Sequence, residues 1–543
     1  MTRHHVYITT TIPYVNARPH VGFALELVQA DVLARHHRRR GDHVRLQAGT
    51  DDNALKNVQA AERAGVPVQE FVDRNAAAFV ALHRPLTLSI DDVIHTGRDP
   101  RHRAGVERFW RACEASGDLY RKHYEGLYCV GCEQFYAPAD LDDGRCPEHG
   151  TTPQRVAEEN WFFRLSRYAG RLHDLIESGR LRIEPAERRN EVLSFIAGGL
   201  EDFSISRSVA RARGWGIPVP GDPGQVIYVW WDALGNYLTA LGYGTDDAEL
   251  RRWWSAADRR VHLVGKGVVR FHAVYWPAML LSAGLPLPTE ILVHGYLTAD
   301  GRKISKSSDN TVDPTALVDA YGTDAVRWWL LREVPRAGDA DFTHDRLIAR
   351  ADDELANGVG NLVNRVISMI HRYRDGRPPV PGGRPPVPPG SGDRSPVPPG
   401  PGGCPSVLPA PDGRPPVPSG PGDCSGDEVV AACERAPALV DAALGSFDFR
   451  AATEAVRAIV DAANRFVNRV RPWELVRAER AGDGDAGRRL DAALAVALDA
   501  CRTVGVELSP FLPDAAERVA RQCAVVDGRL PAPSPVFARL ARH

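Results

Sequence analysis

Lysine is almost missing from this chain: of 67 basic residues, only five are Lys, at positions 56, 122, 266, 303 and 306, and the rest are Arg. A chain that uses Arg nearly everywhere keeps Lys where a compact, mobile ammonium matters. Lys303 and Lys306 fall almost side by side. An excess of charge is also lacking. The formal net charge is −2, which excludes binding of nucleic acid by bulk attraction, though not by Arg gathered on one face. No run of 18 apolar residues occurs, and no apolar core follows Met1-Thr2-Arg3-His4-His5, so neither a membrane span nor a secretory leader is expected and the cytoplasm is the default. The nine Cys lack the even scatter of a disulfide framework. Four metal-binding groups sit instead at CxxC and CxxH spacing. What remains is ordinary for a globular protein, with 43% apolar and 25% charged residues. A length of 543 residues is too great for one core and implies three or four domains at roughly 150 residues each.

Val6-Tyr7-Ile8-Thr9-Thr10 predicts a buried strand. Pro19 then opens a helical stretch from His20 to about Arg39, stopped by Gly41. Val44 to Ala48 predicts a second strand, ending at Thr50-Asp51-Asp52. Strand, helix, strand at this spacing is a βαβ unit and requires a parallel sheet, hence an α/β fold. From Leu119 to Gly150 the text turns dense in Tyr, Cys, Gly and Pro, as an insertion would. Val226 to Trp231, Val261 to Gly265 and Glu290 to His294 predict further buried strands, and from about Asp313 the pattern is helical. The repetitive Pro/Gly stretch 376–426 has too little apolar surface to fold and is expected to be disordered or polyproline-like.

Three constellations carry chemistry. His20-Val21-Gly22-Phe23 lies where a loop feeds a helix, whose free N–H groups and positive end make a phosphate cradle; a simple helix cap reads the same way. Lys303-Ile304-Ser305-Lys306-Ser307 follows Gly301-Arg302. Two ammonium groups on a loop suit a departing pyrophosphate, and taken alone a solvated basic loop is equally compatible. Cys129-Val130-Gly131-Cys132 and Cys146-Pro147-Glu148-His149 provide three thiolates and one imidazole, a closed tetrahedral set for structural Zn²⁺.

Together, the P-x-x-x-x-x-P-H-V-G stretch from Pro13 to Gly22 and the KISKS loop resemble the two signature motifs of class I aminoacyl-tRNA synthetases. Thr10 to Asn16, Tyr228 to Tyr237, and Gly265-Lys266 through Phe271-His272 to Met279 resemble the methionyl branch. The resemblance implies a Rossmann-like parallel-sheet catalytic domain with a zinc-bearing connective insertion, followed by an all-α anticodon-binding domain. It places the first half of the sheet domain at 1–117, the insertion at 118–224, the second half at 225–297, a stem-contact region at 298–347, and the helical domain at 348–543. It implies activation of L-methionine with ATP and Mg²⁺ and transfer to tRNA(Met), with no DNA or membrane partner. A monomer is expected, since no extra C-terminal dimerisation domain follows the helical part. His20, Lys303 and Lys306 would be catalytic, and with Gly22, Ser305 and Ser307 would bind ATP. Ile12, Tyr14, Asp51, Trp230, Ala233, Tyr237, Val268 and His272 would bind methionine, with Tyr14 and His272 able to make the polar contact near sulfur. Asn361, Arg365, Asn464 and Trp473 would read the anticodon by stacking and edge hydrogen bonds.

The chain departs from the family pattern at Phe23, in place of a His; at Asp52-Asn53-Ala54, in place of an acidic-His-Gly run; at Gly267, in place of Asp; and at Leu234, where some relatives have Pro. These departures leave two alternatives: a duplicate enzyme that activates methionine or an analogue for another acceptor or as an inhibitor-insensitive copy, and a non-catalytic tRNA-binding protein.

Overall fold

The computed structural model describes residues 3–132, 134–299, 301–304, 312–379 and 426–540. Its centre is a sheet of six parallel strands: β1 (His5–Thr9), β2 (His43–Thr50), β3 (Asp92–His95), β4 (Arg182–Glu184), β5 (Arg259–Gly265) and β6 (Glu290–His294). Their spatial order is β3-β2-β1-β5-β6-β4. Val6, Tyr7 and Ile8 are fully buried, as expected where helices cover both faces of a parallel sheet. Helix α1 (Val21–Arg39) joins β1 to β2, so the predicted βαβ unit is present, with Ile8 in register with Leu46 on one side and Val261 on the other. Helices α2 (Leu55–Ala64), α3 (Val68–Ala81) and α4 (Pro100–Ala115) follow. The chain builds outward from β1 in one direction through β2 and β3, and in the other through β5 and β6. The β1/β5 boundary is therefore the switch point, and α/β sheets bind ligands beyond the carboxyl ends of such strands.

Two local expectations are corrected. His20 lies outside α1 as its N-cap, with Pro19 ahead of it, because the His20 side chain itself accepts the Gly22 amide. The predicted strand Val226 to Trp231 ends at Ile227: Asp222–Ile227 pairs antiparallel with Ser206–Ser208 and Pro218–Val219, outside the central sheet. The aromatic run then forms helix α5 (Val229–Thr239). This segment is buried almost all round, and a short, uniformly apolar run carries no period by which helix and strand can be told apart.

The change of texture at Leu119 marks a separate antiparallel sheet, in which Leu119–Cys129 lies between Gln134–Tyr136 and Gln154–Phe163, with Phe203–Ser204 beyond. The edge strand β4 of the central sheet also comes from the 118–224 stretch. After β6, Leu297–Ala299 pairs with Arg302–Lys303 and, in parallel, with Ala340–Phe342, a short strand where only helix was expected.

The rest is helical: α6 (Thr323–Arg332), α7 (Asn361–Arg374), α8 (Asp427–Gly445), α9 (Phe449–Val470), α10 (Pro472–Arg480), α11 (Gly484–Leu508) and α12 (Pro513–Cys523). One apolar core runs from β1 and α1 through Trp328 and Trp329 into these helices. Most of the Pro/Gly stretch, 380–425, lies outside the described residues. Among the described residues, no helix is long and apolar enough to cross a membrane.

Candidate active site and metal centre

From the end of β1 the chain crosses the carboxyl edge of the sheet through Thr11-Ile12-Pro13-Tyr14. Glu26, buried on α1, anchors the crossing. One of its carboxylate oxygens accepts from the Thr11 amide at 2.6 Å and the Thr11 hydroxyl at 2.7 Å; the other lies 2.9 Å from His294 Nε2. His20 Nδ1 accepts from the Gly22 amide at 3.1 Å, which leaves the proton of the neutral ring on Nε2. A Cβ at residue 22 would lie 3.0 Å from the imidazole, so glycine is what lets the ring fold back. The expected cradle of free amides is not there: the Val21 amide donates to Val312 O at 2.9 Å, and Phe23 and Ala24 donate to His20 O. An anion would meet the positive end of α1 and the imidazole rather than open N–H groups. The Val21–Val312 bond also returns the chain beyond the Lys-containing loop to α1, so segments far apart in sequence converge on one helix end. Lys303 is placed by its backbone next to Leu297–Ala299. Ser305, Lys306 and Ser307 lie outside the described residues.

Trp230, Ala233 and Tyr237 stand three and four residues apart on α5 and share one face. Trp230 stacks on Phe271 with centroids 3.8 Å apart and planes within 7°. Tyr14 meets Trp230 edge-on at 6.1 Å. Tyr237 donates its hydroxyl proton to His272 Nε2 at 2.8 Å, and His272 Nδ1 donates to Val268 O at 2.9 Å. Burial pushes His272 down to about 4, so the ring is neutral at physiological pH. Both its nitrogens are engaged inside the protein. His272 therefore orients Tyr237. Ile12 and Val268 are half-buried at the edges. Asp51, buried at the end of β2, is held through its amide by Pro13 O at 2.9 Å and accepts from the Asn53 amide at 3.2 Å. Beside it, burial pushes Asp52 up to about 6 against hydrogen bonds from Thr50 and Gly97.

Each departure from the family pattern has a local counterpart. Phe23 packs edge-on against Phe79 at 5.0 Å. Asn53 Nδ2 donates to the fully buried Asp232 at 3.1 Å and to Thr96 O at 3.3 Å. Ala54 is buried against Tyr228 and Val229. Leu234 is buried in the aromatic core. At Gly267 a Cβ would fall 1.9 Å from Tyr296 Oη, so the tyrosine occupies the space of any side chain there. Glu26 escaped the sequence reading, and Phe271 and Asp232, although inside the stretches that resemble the family, were given no role there. A buried acid in the apolar face of α1 was the one available signal for Glu26; for the other two the resembling stretches were the signal, and their contacts were not legible.

The metal-ligand spacing is borne out in space. The ligand atoms of Cys129, Cys132, Cys146 and His149 all lie within 4.8 Å of one another. Cys132 Sγ is 3.4 Å from Cys146 Sγ and 3.2 Å from His149 Nδ1. Edges of this size match a tetrahedral site with metal–sulfur bonds of about 2.3 Å. Gly131 is obligatory, since a Cβ there would lie 2.6 Å from the His149 ring.

In the helical part, the Arg365 guanidinium lies 5.4 Å from the centre of the Trp473 ring, joining α7 to α10. Asn361 is exposed one turn before Arg365 on α7, and Asn464 is half-buried on α9.

Residues 6–156 and 132–367 match the family described as tRNA synthetases class I (M), and 417–540 match the anticodon binding domain of methionyl tRNA ligase. The chain is 39% identical over 560 residues to a methionine–tRNA ligase of Brucella suis biovar 1, covering 99% of this chain and 98% of that protein. Among solved structures it is similar to Mycobacterium tuberculosis methionyl-tRNA synthetase in complex with methionyl-adenylate, with a TM-score of 0.86 at 35% identity, covering 98% and 99% of the two chains. The apo form of that synthetase gives 0.81 at 31% identity, covering 100% and 99%.

Proposed function

The chain belongs to the methionyl family of class I tRNA synthetases, and from that premise we infer that it is a methionine–tRNA ligase, joining L-methionine to ATP as methionyl-adenylate and passing the aminoacyl group to tRNA(Met). The observation that carries this reading is the aromatic cluster at the switch point: Trp230 stacked on Phe271, with Tyr14 edge-on and the Tyr237–His272 pair behind. An unbranched thioether can lie against the outer face of such a stack. Ile12, Ala233 and Val268 complete the apolar lining, Asp51 receives the ammonium group, and Tyr14 and His272, the latter with its partner Tyr237, supply the polar contact near the sulfur.

The methionine carboxylate then attacks the α-phosphate in line. A C–O–P bond forms as the bond to pyrophosphate breaks, and the charge leaves with pyrophosphate. ATP arrives with its Mg²⁺. His20, the Gly22 turn, Lys303, Ser305, Lys306 and Ser307 hold the phosphates, and the two ammonium groups stabilise the charge that builds on the leaving group. Cys129, Cys132, Cys146 and His149 would hold Zn²⁺ with three thiolates and one imidazole, and the ion would contribute folding energy to the knuckle. Asn361, Arg365, Asn464 and Trp473 read the anticodon. We assign 1–117 and 225–297 to the catalytic domain, 118–224 to the connective insertion, 298–347 to stem contact and 348–543 to anticodon binding, in a cytoplasmic monomer.

The test is methionine-dependent ATP–pyrophosphate exchange with other amino acids as controls, followed by charging of initiator tRNA. Exchange and charging together are expected, and Lys306→Ala should lower exchange at least about tenfold while tRNA binding survives. Exchange without charging would point to another acceptor. No exchange from folded, zinc-loaded protein would overturn the enzymatic reading.

A further inference from the structure

Lys56, second residue of α2, touches two sites at once. Its Nζ donates to Gly131 O at 2.9 Å and stands 3.6 Å from the centre of the Tyr14 ring. Gly131 lies between two of the four metal-ligand residues, and its backbone is pinned against the His149 ring. Tyr14 in turn packs edge-on against Trp230. A continuous path therefore runs from the ligand cluster through the Gly131 carbonyl and the ammonium group to the aromatic cluster assigned to the amino acid. An ammonium on a four-carbon stem can rest against a ring face and still direct an N–H at a carbonyl; a planar guanidinium meets both demands less well. In a chain with five lysines, one stands here.

We propose that Lys56 is a positioning residue for the methionine pocket, holding the Tyr14 ring in place from a support that the metal knuckle provides. It rests on the assignment of Tyr14 to that pocket. Lys56 touches no reacting atom. Its effect falls on methionine affinity, and the order of the knuckle reaches the pocket through it.

The experiment compares the parent, Lys56→Met and Lys56→Arg, each with its zinc content measured. Methionine is titrated by tryptophan fluorescence without ATP, and KM values for methionine and ATP are taken from pyrophosphate exchange. Lys56→Met is expected to weaken methionine binding about tenfold, with zinc content and the KM for ATP as in the parent, and Lys56→Arg to recover part of the loss. In a Tyr14→Leu background the same substitution should have little effect. Stripping zinc with a chelator should lower methionine affinity in the parent but not further in Lys56→Met. Parental affinity in Lys56→Met, or an undiminished effect in the Tyr14→Leu background, would overturn the role of Lys56 alone. A parent that binds no methionine would overturn the ligase reading and this proposal with it.

Discussion

His272 shows how a single residue's work is set by its partners. On the helix its Nδ1 is drawn to Val268 O, and this decides that Nε2 must accept from Tyr237. Burial then depresses its pKa to about 4. An unfolded chain binds that proton from about pH 6.5 downward, whereas the folded chain does not until about pH 4. Between those values the unfolded state holds more protons, so this group's contribution to stability is complete above pH 6.5 and falls as the pH falls. Other buried histidines act in the same direction, so the informative measurement is a difference. Thermal or urea unfolding of the parent and His272→Gln should show the stability gap shrinking by roughly 2 kcal/mol between pH 7 and pH 5. A gap that stays constant would mean that His272 is protonated in the fold. His20 carries the same lesson from the other side: its sequence context suited both a cap and a phosphate ligand, and its Nδ1 is spent as a cap while the tautomer leaves Nε2 as a donor.

At the scale of elements, α5 and α10 differ in how much of them was legible. Tyr228 to Tyr237 was recognisable as a pocket segment, but its conformation was not, because an apolar run buried on every side has no polar face to set a period. Only the helix explains why Trp230, Ala233 and Tyr237 point together. Pro472-Trp473, by contrast, opens α10 with proline at the first turn, as the chemistry of helix starts requires. Trp473 is half-buried under Arg365, so the two planes could stack a base only if one of them turns outward. Trp473→Ala is expected to leave pyrophosphate exchange within twofold of the parent while cutting charging by about tenfold or more, the loss of one base-stacking platform of ~1–3 kcal/mol. Charging equal to the parent would remove Trp473 from anticodon recognition. The knuckle was the most legible element of all, since ligand identity and spacing alone define it.

At the scale of the whole molecule, one buried arginine joins the sheet to the helical part. Arg327 on α6 is fully buried and donates to Asp31 on α1 at 2.8 Å, to Leu86 O at 2.8 Å, and to Phe511 O at 2.8 Å. Burial alone would raise Asp31; Arg327 and Arg35 beside it outweigh that and hold it below the usual carboxylate range. Its contribution is present above the unfolded carboxylate value of about 3.9 and is lost as the pH falls through the lower folded value. Arg327→Met should cost about 3 kcal/mol or more at pH 7 by leaving the buried Asp31 with only Arg35 and the Ser89 hydrogen bonds to hold its charge. The difference from the parent should narrow below about pH 4, as Asp31 takes up its proton. Unfolding curves over pH 3–7 test this, and a loss independent of pH would mean that packing, not charge, holds the two parts together.

What the sequence by itself determined was whatever depends on residue identity at fixed spacing: the βαβ start, the cluster of candidate metal ligands, the two signature motifs and the family. A short apolar strand followed by a capped helix, or four soft ligands in two knuckles, needs no distant partner to be read. The tertiary structure decided what depends on residues far apart in the chain. It closed the first α1 amide with Val312, engaged both nitrogens of His272, placed Phe271 on Trp230, filled the space at Gly267 with Tyr296, and set Lys56 between the knuckle and Tyr14. Hydrogen-bond saturation and packing are properties of neighbourhoods in space, and those neighbourhoods exist only once the chain has folded.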